Sequence, residues 1–339
     1  MSCLSLGYWL SSEEHGPREL VTLAARAEAV GFPSAMISDH FHPWVPVQGQ
    51  SPFVWTVLGG IAQVTTTLRI GTGVTAPILR MHPVVVAQAA ATAAVMLEGR
   101  FFLGLGTGER LNEQVVGRRW PPATERREML EEGVAIIRDL LAGDEVTRTG
   151  PHHRVEHARL FTRPETPPPL YLAGSSKAGA ALAGRLADGF LGVAPSARHI
   201  DTFEGMGGAG KPRAGQIHVC WAASEDEARR TAHRLWPIGG MPGALLSELA
   251  RPADYARAAE LVGPEDVAAS VVCGPDPARH LDAIAAFAAA GFTEVYVHQV
   301  GPDQEGFFRF YQDHIFPAVP PAGAIDPPAS PVDPVDRIR

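Results

Sequence analysis

Residues 68–105 read LRIGTGVTAPILRMHPVVVAQAAATAAVMLEGRFFLGL. The apolar run 68–74 predicts a β-strand, and the Ala- and Val-rich stretch 84–97, which ends before Gly99, predicts a buried helix. A second apolar run, 101–105, predicts the next strand. Two strands joined by a helix lie parallel in one sheet, so this stretch is a strand–helix–strand unit.

The same alternation extends through nearly the whole chain. The predicted strands are Leu4–Tyr8, Ala35–Ser38, Leu68–Val74, Phe101–Leu105, Leu170–Ala173, Phe190–Val193, Gln216–Ala222 and Glu294–Val300. The predicted helices are Pro17–Val30, Phe53–Val64, Val84–Leu97, Arg126–Leu141, Lys177–Leu186, Glu225–Leu235, Pro277–Ala289 and Phe307–Ile315. About eight parallel strands in roughly 320 residues fit one (β/α)8 barrel, and a doubly wound sheet is the alternative.

The domain organisation follows from where this alternation stops. We predict a single barrel domain over residues 1–319 and a Pro-rich, disordered tail over 320–339. The stretch 145–155 predicts a hairpin insertion. Two Gly- and Pro-rich stretches, 196–213 and 237–263, predict long loops over one mouth of the barrel.

The composition of the chain argues against several classes of protein. The chain has 339 residues, a net charge of −8, 45% hydrophobic and 19% charged residues, which is typical of a globular protein. The acidic balance argues against a nucleic-acid or anionic-membrane partner. No apolar run is long enough for a membrane span, and the N-terminal residues lack the pattern of a signal peptide. Cys3, Cys220 and Cys273 are an odd number at wide spacing, so we expect no disulfide framework and a cytoplasmic location.

Polar residues follow the predicted strands at the end where barrel enzymes carry their function. Asp39 and His40 follow the second strand, and His is the natural general base near neutral pH. Trp44 offers a flat apolar wall, and Glu13 follows the first strand. The alternative is that Asp39 caps a turn and His40 is an ordinary hydrogen-bonded side chain.

Residues 104–109 read GLGTGE and follow the fourth strand. The third glycine of a dinucleotide-binding fingerprint would fall at Glu109, so that motif is absent. A flexible turn remains, whose backbone amides can approach a phosphate or a ring system, or which simply joins a strand to a helix. Glu109 is either a proton donor or a carboxylate that stabilises a helix start.

His40 and His42 also form a His-x-His pair, which places two imidazoles on one face of a strand end. His218 and His298 lie on later strands and could supply further ligands. A metal-dependent hydrolase of barrel fold is therefore a second alternative function.

Five runs of sequence, in this order, resemble those of a known protein family. They are 38–44 (SDHFHPW), 50–55 (QSPFVW), 101–109 (FFLGLGTGE), 233–237 (HRLWP) and 297–305 (VHQVGPDQE). From about residue 4 to about residue 317 the chain resembles the luciferase-like superfamily, in its branch that depends on the deazaflavin coenzyme F420. Within that branch it resembles the subgroup related to F420-dependent glucose-6-phosphate dehydrogenase. The fold of that family is a (β/α)8 barrel.

The resemblance implies that F420 lies in the barrel mouth. Asp39 would hydrogen-bond its ring system, and Gly73-Val74 would be a non-prolyl cis peptide behind the ring. The other positions that match cofactor contacts are Ala76, Thr107, Gly108, Asn112 and the phosphate-binding turn Gly174, Ser175, Ser176 and Lys177. FMN, in a monooxygenase of the same superfamily, is the alternative cofactor.

The resemblance also implies the catalytic roles. His40 would take the proton of a substrate hydroxyl group while hydride leaves the carbon for the cofactor, and Trp44 would hold the intermediate. Glu109 would protonate the cofactor ring, and Glu13 would be a second acid–base group beside His40.

The chain departs from the sugar-phosphate enzymes where they bind the substrate phosphate. Ser196 and Ser270 stand at two of the basic positions, Arg257 remains basic, and Arg198 could replace one lost charge. The neighbouring stretch 235–243 is apolar. We therefore expect a small hydroxyl or carbonyl compound with an apolar part, not glucose 6-phosphate, as the substrate. Homodimers are common in the family.

Overall fold

A computed structural model describes residues 4–319. The tail predicted over 320–339 and Cys3 lie outside these residues. The strands are β1 (Ser5–Leu10), β2 (Ser34–Ile37), β3 (Arg69–Thr72), β4 (Phe101–Leu105), β5 (Val146–Thr149), β6 (Arg154–Ala158), β7 (Leu170–Ala173), β8 (Gly189–Gly192), β9 (Arg213–Cys220), β10 (Val271–Cys273) and β11 (Glu294–Gln299).

The helices lie between these strands. They are α1 (Pro17–Val30), α2 (Val54–Val64), α3 (Pro83–Met96), α4 (Arg110–Glu113), α5 (Ala123–Ala142), α6 (Lys177–Leu186), α7 (Ala197–Phe203), α8 (Glu225–Leu235), α9 (Gly243–Leu246), α10 (Pro252–Ala259), α11 (Pro264–Ala268), α12 (Pro277–Ala289) and α13 (Gln304–Phe310). Within residues 4–319, no helix is both long enough and apolar enough to cross a bilayer.

Eight parallel strands close into a ring in the order β9-β11-β1-β2-β3-β4-β7-β8, because β8 pairs back onto β9. The predicted (β/α)8 barrel is therefore confirmed, and the doubly wound alternative is wrong. The short β10 also pairs with β9, beyond the end of β8. The antiparallel pair β5–β6 confirms the predicted hairpin insertion.

Two predicted loops are wrong. The stretch 196–213 contains helix α7, and the stretch 237–263 contains α9 and α10. The glycines and prolines of both stretches interrupt the apolar periodicity, so the sequence did not predict these short helices. Pro252, for example, occupies the first turn of α10, where its missing N–H has no intrahelical partner to lose.

Side chains fill the barrel interior and close the end formed by the amino ends of the strands. Trp9, Met36, Phe102, Tyr171, Leu191, Ala214 and Tyr296 form a buried cluster inside the ring. Toward the amino ends of the strands, the Arg69 guanidinium contacts the Glu294 carboxylate at 3.2 Å. These side chains close that end, so the open mouth lies where the carboxyl ends of the strands lead into loops.

Candidate active site

His40 and Glu13 meet at the mouth, although they come from different loops. Oε1 of Glu13 lies 3.3 Å from Nδ1 of His40, and Glu13 is buried whereas the His40 side chain is 10% exposed. The other carboxylate oxygen of Glu13 accepts hydrogen bonds from the hydroxyls of Ser38 at 2.6 Å and Ser11 at 3.0 Å. These bonds fix Glu13 in place between β1 and β2.

The surroundings of His40 determine which ring nitrogen carries its proton. Nδ1 faces two acceptors, the Glu13 carboxylate and the carbonyl oxygen of His42 at 3.2 Å. A neutral imidazole therefore carries its proton on Nδ1 and leaves a lone pair on Nε2. Nε2 has no hydrogen-bond partner within residues 4–319, so it can accept a proton from a bound molecule.

Trp44 forms a wall beside this imidazole. Its ring centroid lies 4.8 Å from that of His40, and Tyr255 of α10 packs edge-on against its other side at 5.4 Å. Tyr255 is fully buried and donates its hydroxyl to the carbonyl of Leu246. The segment that follows α8 therefore covers the mouth, as predicted, although in helical form.

Asp39 is buried beside His40 and is already bound by protein groups. Its Oδ1 accepts from Nη2 of Arg80 at 2.8 Å, and its Oδ2 accepts from the hydroxyl of Thr75 at 2.7 Å. Arg80 also lies 3.6 Å from Glu113 Oε1. Asp39, Arg80 and Glu113 thus form a buried charge cluster under the loops that follow β2, β3 and β4. A direct contact between Asp39 and the cofactor stays a prediction.

Glu113 supports the β3 loop. Its Oε2 accepts the backbone amides of Leu79 and Arg80, at 3.2 and 2.9 Å. Burial raises the pKa of Glu113 to about 7, although these amides and the Arg80 guanidinium oppose that shift.

Asn112 connects the His40 loop to the Glu109 loop. Its Oδ1 accepts the amides of Phe41 at 2.9 Å and His42 at 3.2 Å, and its Nδ2 donates to Glu109 Oε2 at 3.3 Å. Asn112 is buried, so its polar atoms hold these two loops together. Its predicted contact with the cofactor stays a prediction.

Glu109 precedes α4 and is only partly buried, as are Thr107 and Gly108. Gly108 has φ +64°, a left-handed conformation that favours glycine, and any side chain there would collide with Glu113 and Ala76. Ala76 itself is buried in the core. The GLGTGE turn therefore lies directly above the charge cluster.

The peptide bond between Gly73 and Val74 is cis, as the resemblance implies. Val74 packs against the cluster inside the barrel, and Gly73 lies against Trp9 and Met36. The bond follows β3, at the floor of the mouth.

The turn Gly174-Ser175-Ser176-Lys177 opens α6, and Ser175, Ser176 and Lys177 are exposed. The hydroxyl of Ser176 caps the helix by accepting the amide of Gly179 at 3.2 Å. The amides of Lys177 and Ala178 have no partner within residues 4–319 and can donate to an anion.

None of the four predicted substrate residues forms a hydrogen bond or an ion pair with His40 within residues 4–319. Ser196 caps α7, and Ser270 donates its hydroxyl to the Gly239 carbonyl at 2.7 Å. Arg198 is exposed on α7. Arg257 lies on the exposed side of α10, whereas Tyr255 is on the buried side that faces Trp44. The predicted roles of these residues in substrate binding stay predictions.

Residues 4–319 contain no set of ligands for the metal site of the hydrolase alternative. His42 Nδ1 lies 3.0 Å from the carbonyl of Leu111, and His218 and His298 pair with each other at 2.9 Å. Across residues 4–319, no three His, Cys, Asp or Glu side chains are arranged to hold a metal ion.

Sequence reasoning missed several residues of the site. Arg80, Glu113 and Thr75 carry no motif, and their partners are distant in sequence. Glu14 lies beside Glu13 in the same loop and contacts His298. The only signal for Glu14 was its position after a strand end.

A comparison with known families shows which family this chain belongs to. The family model for the luciferase-like monooxygenases matches residues 4–294, which is most of the chain. The chain belongs to the luciferase-like monooxygenase family. The barrel and the cis peptide described above agree with the family fold that the sequence resemblance implies.

Within the luciferase-like family, relatives of known activity cover nearly the whole chain. An F420-dependent glucose-6-phosphate dehydrogenase from Microbacterium testaceum is 35% identical over 326 residues, which is 93% of this chain and 97% of that protein. An F420-dependent hydroxymycolic acid dehydrogenase from Mycobacterium tuberculosis is 35% identical, over 92% of this chain and 87% of that protein.

A solved luciferase-like structure is also similar. It is an F420-dependent secondary alcohol dehydrogenase in complex with an F420–acetone adduct, with a TM-score of 0.86 and 29% identity. The match covers 94% of this chain and 99% of that one. The names of the three relatives give three different substrates, so family membership alone leaves the substrate open.

Proposed function

We propose that this protein is an F420-dependent oxidoreductase that exchanges hydride with a hydroxyl or carbonyl substrate. The observation that carries the proposal is the arrangement at His40. Nδ1 is held by Glu13, Nε2 is free, and Trp44 stands beside the ring. The relatives, named as F420-dependent dehydrogenases, support the cofactor.

The mouth fits a deazaflavin. A partly open turn, Thr107-Gly108, lies beside the segment that carries the cis peptide Gly73-Val74, because Thr75 pairs with Leu105, and together they can border a flat ring. The amides that open α6 suit the anionic tail of the cofactor. Asp39, Ala76 and Asn112 lie beneath these positions and support them. When bound, F420 supplies a carbon that accepts or gives hydride.

The protein contributes proton transfer and positioning. His40 accepts the proton of the substrate hydroxyl at Nε2, and the Glu13 carboxylate stabilises the imidazolium that results. Glu109 is the group that exchanges a proton with the cofactor ring, and Asn112 positions its carboxyl group by donating a hydrogen bond to Oε2. Trp44 and Tyr255 exclude water from the apolar side of the substrate.

We infer an alcohol or ketone with an apolar part as the substrate. Large apolar side chains are exposed in the mouth loops after β2 and β8, at Phe41 and Val193. The serines at 196 and 270 bond to the protein's own backbone, so they leave a phosphate group without the charge that would bind it.

We further propose a cytoplasmic protein that forms a homodimer. Cys220 and Cys273 lie opposite each other on β9 and β10 as free, buried thiols, which suits a reducing compartment. The dimer is inferred from the family resemblance.

A fluorescence titration with F420 tests the cofactor, with FMN and NADP⁺ as controls. Tight binding of F420 alone is expected, and binding of FMN alone would move the protein to the monooxygenases. Alcohols are then screened with F420 and carbonyl compounds with its reduced form, beside glucose 6-phosphate. His40→Ala should keep cofactor affinity and lose most turnover. Loss of both would make His40 structural.

A further inference from the structure

A second carboxylate–imidazole arrangement lies in the mouth beside the Glu13–His40 pair. Oε2 of Glu14 is 2.7 Å from Nε2 of His298, and Nδ1 of His298 is 2.9 Å from Nδ1 of His218. Oε1 of Glu14 accepts the amide of Gly301 at 3.1 Å. The three side chains therefore form one hydrogen-bonded chain, in the order Glu14, His298, His218.

The strands place this chain at the substrate side of the barrel. Alternate residues of a strand share a face, so His218 points the same way as Ala214, and His298 the same way as Tyr296, toward the interior. Both imidazoles lie nearer the mouth than those residues, and the register places them side by side.

The two imidazoles differ in access. His298 is fully buried, whereas His218 is partly exposed. The ring of Trp236 covers both, with centroid distances of 4.8 Å to His218 and 4.5 Å to His298. Nε2 of His218 has no hydrogen-bond partner within residues 4–319, so it is the outer end of the chain.

We propose that Glu14, His298 and His218 form a proton relay whose outer end, Nε2 of His218, hydrogen-bonds a second oxygen of the substrate, apart from the oxygen that His40 serves. The inference rests on the proposed function and narrows its substrate to a diol or a hydroxy ketone. His218 is then the specificity-determining residue, and Glu14 and His298 are positioning residues.

The short distance between the two Nδ1 atoms couples the tautomers. A neutral imidazole has one N–H, and only one of two nitrogens 2.9 Å apart can donate to the other. The protons on the chain therefore have two consistent arrangements.

In the protonated arrangement, the Glu14 carboxyl group donates to His298, His298 donates to His218, and Nε2–H of His218 donates into the mouth. That arrangement holds three protons. Loss of the proton from His218 Nε2, followed by transfer of one proton from His298 to His218 and one from Glu14 to His298, leaves two. Nε2 of His218 then accepts a hydrogen bond instead of donating one.

Electrostatics agree with this geometry. Burial raises the pKa of Glu14 to about 7, with His15 opposing and Glu13 adding to the shift. Burial lowers the pKa of His298 to about 3 and that of His218 well below its usual value. Both imidazoles thus stay neutral, and Glu14 is the group that changes charge near neutral pH.

Nitrogen-15 NMR of the histidine rings tests the relay in the cofactor-free protein, so the result does not depend on F420. Between pH 5 and 9, His218 and His298 should exchange tautomers together with one midpoint. Glu14→Gln should abolish the exchange, and Glu227→Gln, an exposed substitution on α8, should leave it unchanged. A single fixed tautomer at all pH values, or a doubly protonated His218, would overturn the relay.

The substrate contact is tested with cis-1,2-cyclohexanediol and cyclohexanol. The diol, but not the mono-alcohol, should shift the His218 Nε2 resonance, and equal effects would overturn the contact. With F420, His218→Phe should lower the diol to mono-alcohol ratio of kcat/KM by about tenfold and leave cyclohexanol unaffected. If neither alcohol is turned over, the proposed function fails for these substrates while the resonance shifts still decide the contact.

Discussion

The Glu13 carboxylate lies 3.3 Å from Nδ1 of His40, and the next residue, Glu14, contacts a different imidazole, His298, at 2.7 Å. One turn after β1 thus anchors two histidines from the two strands that flank β1, because His40 follows β2 and His298 lies on β11. The position of this turn therefore determines where His40 presents its free Nε2 and where His298 presents its Nδ1 to His218.

Replacing Glu13 tests its control of His40. Glu13→Gln keeps the size of the side chain but removes the charge that stabilises the imidazolium. A hydrogen bond to a charged group contributes about 1.5–3 kcal/mol, so kcat should fall by roughly 10- to 100-fold. Steady-state kinetics check this, and the Kd for F420 should not change. An unaltered kcat would show that Glu13 does not assist His40.

Arg80 is expected to be the most important charge for stability. It joins Asp39 and Glu113, whose side chains are both about 1% exposed. Arg80→Met leaves two buried carboxylates without a cation, which should lower the free energy of unfolding by about 3–5 kcal/mol.

Urea denaturation measures this loss, with Arg119→Met as the control. Arg119 pairs with Glu125 at 2.8 Å, but its side chain is 67% exposed. Exposed pairs contribute about 0–1 kcal/mol, so the control should be nearly neutral. Equal losses in the two variants would contradict the buried cluster.

Asn112→Ala should show whether Asn112 positions the two loops or contacts the cofactor directly. The substitution leaves the amides of Phe41 and His42 without their acceptor and releases Glu109. Stability should fall by about 1–3 kcal/mol, and kcat should fall more than the affinity for F420. Asn112→Asp keeps the acceptor and should recover the stability. A loss confined to cofactor affinity would favour a direct contact instead.

The sequence predicted the barrel because its strands are short apolar runs that alternate with helices. It missed β10, which has three residues, and the short helices α4, α7, α9, α10 and α11, which have four to eight residues. Local patterns could not distinguish these from loops.

The sequence likewise predicted some residues of the candidate site and missed others. His40, Trp44 and Glu13 were predicted because they lie in the loops that follow two strands. The structure brings these three side chains together, and their catalytic roles stay predictions. Arg80 and Glu113 were missed because their contacts join residues 33 and 41 positions apart. His218 and His298 were noticed, but as metal ligands, since their spacing of 80 residues does not reveal that they bond to each other.

Glu113 should make stability depend on pH. Its pKa is raised from 4.5 to about 7 by burial, so between these values the native state holds a proton that the unfolded chain has lost. Stability therefore falls as pH rises through this window and is constant above about pH 7. At about 1.4 kcal/mol per pH unit, the total change is about 3 kcal/mol.

Glu113→Gln removes this contribution because glutamine does not titrate. Urea denaturation between pH 4.5 and 8 should therefore show a smaller decline in the variant than in the wild type. Glu14, whose pKa is also raised to about 7, titrates in the same window, so part of the decline should persist and disappear only when Glu14→Gln is added. Identical declines in wild type and Glu113→Gln would mean that Arg80 keeps Glu113 ionised throughout the window.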